Sequence, residues 1–312
     1  MAEVVLEVEN LRVDYEDLTA VNGISFSVEA GMVYGLIGPN GAGKTSTIRA
    51  ISTLVEPTYG RMRIKGIDVE LEPQRALVHL AYMPDFPPVY EDLKVWEFLD
   101  LFASAYRIPL SERSSRIQGL LETVNLVDKR EHMTGTLSRG MRQRLFLAKT
   151  LLHDPDVLLL DEPASGLDPV AREEFAQVLR NLGSQGKAVV VSSHILTEMD
   201  TFCNAVGIMD HGQMKASGRI DEILAQMTSQ NLLQIVLAFE RDGMGSVLQE
   251  CDGVVEVHID GRQASVVFDG DEQAKANLLR KLVESDFPVI EFRPESKDLG
   301  DIFRAVASGE AS

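Results

Sequence analysis

A glycine-rich loop constrains this sequence more than any other feature. The stretch LIGPNGAGKTST, residues 36–47, matches the pattern G-x-x-x-x-G-K-[ST] from Gly38 to Thr45. An apolar run precedes the loop and a Ser- and Thr-rich helical segment follows it, which is the context that this pattern requires. Gly41 and Gly43 let the backbone curl so that successive N–H groups face inward, where the positive end of the following helix adds to them. The loop therefore predicts a phosphate site.

The side chains of the loop indicate which phosphates are bound. Lys44 would reach the β and γ phosphates of a nucleotide as a point charge, and the Thr45 hydroxyl would be a ligand of the bridging Mg²⁺. A glycine-rich turn with a solvated lysine is the alternative. The predicted phosphate-binding residues are Gly38, Pro39, Asn40, Gly41, Ala42, Gly43, Lys44, Thr45 and Ser46.

Two adjacent carboxylates follow a second apolar run. In DVLLLDEP, Asp161 and Glu162 end a predicted buried strand. In a doubly wound sheet, ligands gather at the carboxyl ends of the strands, so both side chains are expected to face the phosphate loop. Asp161 suits direct or water-mediated contact with Mg²⁺, and Glu162 is placed to activate or orient the water that attacks the γ-phosphate. Two surface acids at a strand end are the alternative.

Composition excludes several classes of protein. The chain has 312 residues, of which 45% are hydrophobic and 25% charged, as is typical of a globular protein with two domains. The formal charge of −18 opposes binding to a nucleic-acid backbone, so no nucleic-acid partner is expected. Two cysteines without metal-type spacing favour a reducing compartment.

The chain carries no recognisable membrane or secretion signal. The first residues, MAEVVLEVENL, alternate apolar and acidic side chains and predict a strand in place of a signal peptide. The apolar runs are much shorter than the roughly 18 to 20 residues of a bilayer-spanning helix. We therefore expect a cytoplasmic protein that would serve a membrane only from its surface.

Periodicity divides the chain into two predicted domains. Residues 1–228 alternate β-branched runs with amphipathic helices, which predicts an α/β domain with a largely parallel sheet. Within that domain, strand patterns disappear over about residues 85–153, which predicts an inserted helical subdomain. Residues 229–312 follow the order β-α-β-β-α-β and predict a small α+β, ferredoxin-like domain with one further helix near its end.

With these motifs in order, the sequence from Val5 to Met214 resembles the ATP-binding subunit of ABC transporters, a P-loop NTPase. The family's signature sequence, usually LSGGQ, is similar to LSRGMRQRL here, with Ser138 and Gly140 kept. Arg139 and Met141 replace the usual Gly and Gln. The resemblance implies that Ser138 and Gly140 contact the ATP held by an opposing subunit, whereas a plain helix cap is the alternative for Ser138.

Three further residues match the family's motif set. Asp168 ends SGLD, which is similar to the D-loop that crosses to the partner subunit. His194 follows a strand in VVVSSHI and resembles the switch histidine that contacts the γ-phosphate. Tyr15 matches the aromatic residue that stacks on adenine. Without the resemblance, a structural role in packing or hydrogen bonding would be the alternative for each of these side chains.

A further departure from the family pattern lies before the predicted helical subdomain. In HLAYMPDFPPVY, Asp85 stands where the family has the Q-loop glutamine. A carboxylate accepts hydrogen bonds but does not donate them, so Asp85 is still expected to face Mg²⁺, with altered catalytic coupling.

The resemblance also implies a mode of action. It predicts an ATPase that uses ATP and Mg²⁺ and works as a head-to-tail dimer, with two ATP molecules sandwiched, to power export through a separately encoded membrane permease. The partners would be that permease and a second ATPase subunit, either an identical copy or a paralogue. The alternatives are an ABC ATPase that acts on a non-membrane partner and a weakly hydrolysing regulatory subunit, the latter suggested by Asp85.

Overall fold

The computed structural model describes residues 3–85, 89–195, 199, 201–227 and 232–294. The chain divides into two compact units between Ile220 and Asp221. The boundary predicted from the sequence, at residues 228–229, falls outside the described residues.

A six-stranded sheet forms the centre of the first unit. Its order is β10-β9-β3-β8-β7-β6, and the pairs from β9 to β6 are parallel whereas β10 is antiparallel to β9. The runs VYGLIG, VLLLDE and AVVVSSH form β3, β7 and β8, which are completely buried, as their continuous apolar character predicts. The strands are β3 (Val33–Ile37), β6 (Leu80–Met83), β7 (Val157–Leu160), β8 (Ala188–Ser193), β9 (Ala205–Asp210) and β10 (Gln213–Arg219).

A second, antiparallel sheet was not predicted from the sequence. Its order is β2-β1-β4-β5, and it shares one hydrophobic core with the parallel sheet, to which Val8, Val13, Leu36 and Leu159 contribute. It places the hairpin between β1 and β2 next to the glycine-rich loop. The strands are β1 (Val4–Tyr15), β2 (Leu18–Glu29), β4 (Tyr59–Ile64) and β5 (Ile67–Asp68).

The helices of the first unit pack on this framework. Three of them, α3, α4 and α5, lie in the sequence between β6 and β7 and contact one another, where the sequence predicts an inserted helical subdomain. Ser138 caps the N-terminus of α5 and Asp168 that of α6, since each side chain accepts a hydrogen bond from a backbone N–H of the first turn. The helices are α1 (Lys44–Ile51), α2 (Pro73–Ala76), α3 (Val95–Ala105), α4 (Leu110–Thr123), α5 (Arg139–Thr150) and α6 (Pro169–Ser184).

The second unit has its own sheet and core. The order is β12-β13-β11-β14 with every pair antiparallel, and two helices pack against it. The further helix expected near the end of this domain lies outside the described residues, which stop at residue 294. A helix, Ile220–Met227, spans the boundary between the two units. The elements that follow it are β11 (Leu232–Leu237), a helix (Met244–Gln249), β12 (Val254–Asp260), β13 (Gln263–Phe268), a helix (Glu272–Glu284) and β14 (Val289–Pro294).

Across the part of the chain that the structure describes, none of the helices combines the length and the apolar character needed to cross a bilayer.

Candidate functional site

The glycine-rich loop runs from the end of β3 to the start of α1, and two of its glycines have no room for a side chain. Gly43 has a φ of +101°, and a Cβ there would overlap the carbonyl oxygen of Ala20 in the β1–β2 hairpin. A Cβ at Gly38 would overlap the carbonyl oxygen of Met209. Glycine is therefore required for the loop to fit between these two backbones.

Lys44 is the first residue of α1 and is 5% exposed. Its Nζ donates hydrogen bonds to the carbonyl oxygens of Gly38 at 2.7 Å and Pro39 at 3.1 Å, and lies 3.7 Å from Oε1 of Glu162. Burial lowers the pKa of Lys44, whereas the carboxylates of Glu162 and Asp161 act in the opposite direction. The ammonium group thus lies inside the loop that the sequence assigns to phosphate.

Asp161 follows β7 and is 4% exposed. Its Oδ1 accepts one hydrogen bond from the Thr45 hydroxyl at 3.1 Å and another from the Ser192 hydroxyl at 2.6 Å. Because Ser192 lies on the neighbouring strand β8, the sheet holds the carboxylate directly against the start of α1. Sequence reasoning missed Ser192, although a hydroxyl within the apolar run AVVVSSH was a usable signal.

Glu162 has a left-handed backbone conformation, with a φ of +48°. Its backbone N–H donates to the Ser192 hydroxyl at 2.9 Å, and its Oε2 lies 2.8 Å from Nδ1 of His194. An ionised carboxylate only accepts hydrogen bonds, so Nδ1 is the donor in this contact. His194, just after β8, therefore fixes the direction of the Glu162 carboxylate.

Asp85 lies just after β6. Its Oδ1 is buried and has no hydrogen-bond partner among the described residues. Burial raises the pKa of Asp85, and the nearby carboxylates of Glu162 and Asp161 raise it further. A buried acceptor oxygen without a partner is costly unless a ligand occupies it.

Most of these residues surround one cavity of about 570 Å³, whereas Asp161 is hydrogen-bonded to Thr45 of the wall and does not line the cavity itself. The structure brings most of the predicted site residues to its wall: Tyr15, Asn40, Gly41, Ala42, Gly43, Lys44, Thr45, Ser46, Asp85, Glu162 and His194. Four others that line it were missed by sequence reasoning, Leu18, Thr19, Ala20 and His211, and Ser165, the first residue of SGLD, lines it too. The four missed residues reach the cavity through hairpins and turns whose positions depend on long-range pairing, so no local pattern marks them.

Ser138, Gly140 and Asp168 do not line this cavity. Within their own chain they serve the helices. Ser138 Oγ accepts a hydrogen bond from the Met141 N–H at 3.3 Å, and Asp168 Oδ1 accepts one from the Ala171 N–H at 2.9 Å. A Cβ at Gly140 would lie 2.7 Å from Cβ of Ala171, so this glycine permits close packing of α5 against α6.

The residues predicted to hold Mg²⁺ supply suitable atoms. Thr45, Asp161 and Asp85 offer hydroxyl and carboxylate oxygens, the hard ligands that Mg²⁺ prefers. No cluster of three or more His, Cys, Asp or Glu side chains suited to a metal ion occurs within the described ranges. An ion here would complete its coordination with phosphate and water, as Mg²⁺ commonly does.

Comparisons with known proteins agree with this geometry. Residues 21–165 match the protein family described as ABC transporter. The Nod factor export ATP-binding protein I of Ralstonia nicotianae is 36% identical over 231 residues, which cover 74% of this chain and 72% of that protein. The chain belongs to the ATP-binding proteins of ABC transporters.

Other members of the ABC family match the same portion. The probable multidrug ABC transporter ATP-binding protein YbhF of Escherichia coli is 35% identical over 224 residues, or 72% of this chain and 39% of that longer protein. A solved structure of an ATP-binding subunit of an ABC transporter superposes with a TM-score of 0.63 at 32% identity, covering 72% of this chain and 93% of that one. The family and the P-loop α/β fold predicted from the motifs are therefore confirmed.

Membership defines the general activity. ABC ATP-binding proteins bind ATP, are in general ATPases, and pair with membrane permeases. The roles of individual residues in this member stay predictions.

Proposed function

We propose that this chain binds and hydrolyses MgATP to power export through a separately encoded membrane permease. One observation carries the proposal. Lys44, Thr45, Glu162 and His194 line one cavity at the carboxyl edge of β3, β7 and β8, and Asp161 accepts a hydrogen bond from Thr45 beside it. This is the edge where ligands bind in open α/β sheets.

In this mechanism the loop and the carboxylates have separate tasks. The N–H groups of residues 38–46 and the Lys44 ammonium bind the phosphates, and Tyr15 stacks on adenine. Thr45, Asp161 and Asp85 would hold Mg²⁺, which would supply positive charge to neutralise the phosphates. Glu162 orients the attacking water and accepts its proton, while His194 keeps the Glu162 carboxylate in place.

The signature residues support a dimer. Because Ser138, Gly140 and Asp168 lie outside the cavity of their own chain, we infer that they act on ATP bound by a second subunit. Two identical copies, arranged head to tail, would sandwich two ATP molecules. Closure on ATP and release after hydrolysis would then form a nucleotide-driven switch.

The names of the relatives support the direction of transport. The Ralstonia nicotianae relative is named as an export protein and the Escherichia coli relative as a probable multidrug transporter subunit. By this analogy the chain would lie in the cytoplasm, at the inner face of the plasma membrane, attached to its permease.

The variant Glu162→Gln tests the catalytic assignment. It should bind MgATP as tightly as the wild type but hydrolyse it at least about 100-fold more slowly, since it loses the general base. It should also accumulate as a dimer with MgATP, measured by light scattering after size exclusion. Glu112→Gln, on α4 and outside the cavity, is the matched control. Undiminished hydrolysis, or a monomer with MgATP at high protein concentration, would contradict the proposal.

A pull-down tests the partner. The tagged chain is recovered with ATP from detergent-solubilised native membranes, and co-purifying proteins are identified by mass spectrometry. A polytopic membrane protein is expected as the dominant partner. Ribosomal or other non-membrane partners in its place would favour an ABC ATPase with a different task.

A further inference from the structure

Ser192 lies beside the two carboxylate residues of the site, on the strand next to theirs. Leu160, the last residue of β7, pairs with Val191 of β8. The residues that follow these two, Asp161 and Ser192, are therefore neighbours across the sheet. Ser192 is completely buried within an apolar run. Its hydroxyl needs partners there, because a buried polar group without a hydrogen bond is costly.

The Ser192 hydroxyl bonds to both carboxylate residues. It donates its single proton to Oδ1 of Asp161 at 2.6 Å, and it accepts the backbone N–H of Glu162 at 2.9 Å. The bond to Asp161 determines where the hydroxyl proton points. The lone pairs of the oxygen are thereby left for the Glu162 N–H, so the two bonds support each other.

Glu162 is held at two points by residues at the end of β8. Its φ of +48° is uncommon for a residue that carries a side chain. Ser192 binds its N–H, and His194 binds Oε2 of its carboxylate at 2.8 Å. The first bond fixes the peptide from which the side chain starts, and the second fixes the position of the carboxylate. Groups that act in catalysis must be held within about 0.5 Å of the productive geometry.

We propose that Ser192 is a positioning residue for ATP hydrolysis. Its hydroxyl, oriented by Asp161, holds the main chain of Glu162 in the conformation that directs the carboxylate into the cavity. Ser192 does not line the cavity, so it acts through Glu162 and not on the nucleotide itself. This inference rests on the proposed ATPase activity.

Two substitutions of Ser192 in the full-length protein test the inference. Ser192→Ala should lower kcat about tenfold and leave both KM and the dissociation constant for MgATP within about threefold of the wild type, since the hydroxyl orients a group without binding the nucleotide. Ser192→Cys keeps the approximate size of the side chain but has only a weak donor, so a similar loss of kcat is expected. Steady-state hydrolysis and calorimetric titration measure the two effects.

A double-mutant cycle shows whether Ser192 acts through Glu162. In the Glu162→Gln background, Ser192→Ala should slow hydrolysis by less than about threefold, because the carboxylate that Ser192 orients is already gone. Single-turnover hydrolysis measures these slow rates. Equal losses in both backgrounds would show that the effect does not pass through Glu162, and would overturn the inference.

The matched control for the loss of a buried hydroxyl is Thr134→Val. Thr134 is also completely buried, and it donates to the Tyr90 carbonyl oxygen at 2.6 Å, outside the cavity. Its loss should lower Tm, as the loss of the Ser192 hydroxyl should, but leave kcat within about threefold of the wild type.

Three results would overturn the inference while leaving the ATPase proposal intact: wild-type kcat in either Ser192 variant, a rise in KM alone, or a loss of kcat in Thr134→Val equal to that in Ser192→Ala. A wild type without ATP hydrolysis would overturn both.

Discussion

At the scale of single residues, Lys44 shows how the site is prepared for a ligand. The ammonium group is buried, donates to two carbonyls of its own loop, and faces the Glu162 carboxylate. Those loop carbonyls are neutral acceptors, so a phosphate oxygen competes favourably for the same protons. The lysine is thus already placed for a phosphate before any nucleotide binds, which lowers the cost of ordering the site.

Replacing this lysine tests the phosphate loop. Lys44→Ala should weaken MgATP binding at least about tenfold, because a charge-assisted hydrogen bond contributes about 1.5 to 3 kcal/mol. Isothermal titration calorimetry measures the change. Lys187→Ala, which removes a partly buried lysine paired with Asp154 outside the cavity, is the control and should bind ATP normally. Unchanged affinity in Lys44→Ala would count against the assignment of the loop.

At the scale of elements, an aromatic and cationic cluster joins the inserted helices to the parallel sheet. The Lys149 ammonium lies over the rings of Phe102 and Phe146, at 4.9 and 4.8 Å from their centroids. His153, which follows α5, stacks on Tyr106 with centroids 4.6 Å apart, and its Nε2 contacts the Leu80 carbonyl at 3.0 Å. Helices α3 and α5 are thereby connected to β6.

This cluster predicts a dependence of stability on pH. Burial lowers the pKa of His153 below its ordinary value of 6.5, an effect that the Leu80 carbonyl opposes and Lys149 strengthens. The unfolded chain therefore binds a proton at His153 more readily than the folded chain does. The contribution of the neutral imidazole to the free energy of unfolding is fully present above pH 6.5 and is lost as the pH falls from there towards the folded pKa.

Thermal melts at several pH values measure the effect. Between pH 7.5 and 5.5, Tm of the wild type should fall by about 2 °C more than Tm of His153→Gln, which has no such proton to bind. The control is His132→Gln, which replaces an exposed histidine between α4 and α5. Its Tm should change with pH as that of the wild type does. Equal decreases in the wild type and His153→Gln would contradict this prediction.

At the scale of the whole molecule, two separate cores stabilise the chain. One joins the two sheets of the first unit, and the other lies in the second unit and includes Ile235, Val266, Phe268 and Leu282. The phosphate loop and its carboxylates belong entirely to the first unit. Nucleotide binding and the folding of the second unit should therefore be separable.

A core substitution tests that separation. Ile235 is completely buried, so Ile235→Ala should destabilise the second unit by about 2 to 5 kcal/mol. The affinity for MgATP should not change. Calorimetric unfolding and limited proteolysis follow the second unit, and ATP titration follows the first. Ile290→Ala, at a position that is 59% exposed, is the control. Loss of ATP affinity in Ile235→Ala would show that the units are coupled.

The features of the site that could be predicted from the sequence are those marked by motifs of a few consecutive residues. The glycine-rich loop and the Asp161–Glu162 pair are local patterns at the ends of apolar strands, so the motif also indicates the position in the fold. The antiparallel sheet and the Ser192 bridge depend on residues far apart in sequence. No pattern within a short window specifies such pairings, and only the folded chain shows them.

Because β3, β8 and β7 are neighbours in the central sheet, the spacing of these strands sets the distances between the site residues. Neighbouring strands in any sheet are about 4.8 Å apart, and the loop, His194 and the Asp161–Glu162 pair each follow directly on one of these three strands. The distances between the groups that follow these strands therefore depend on the backbone hydrogen bonds that pair β3, β8 and β7. Surface residues and helix exteriors are free to diverge for different partners while this spacing stays constant.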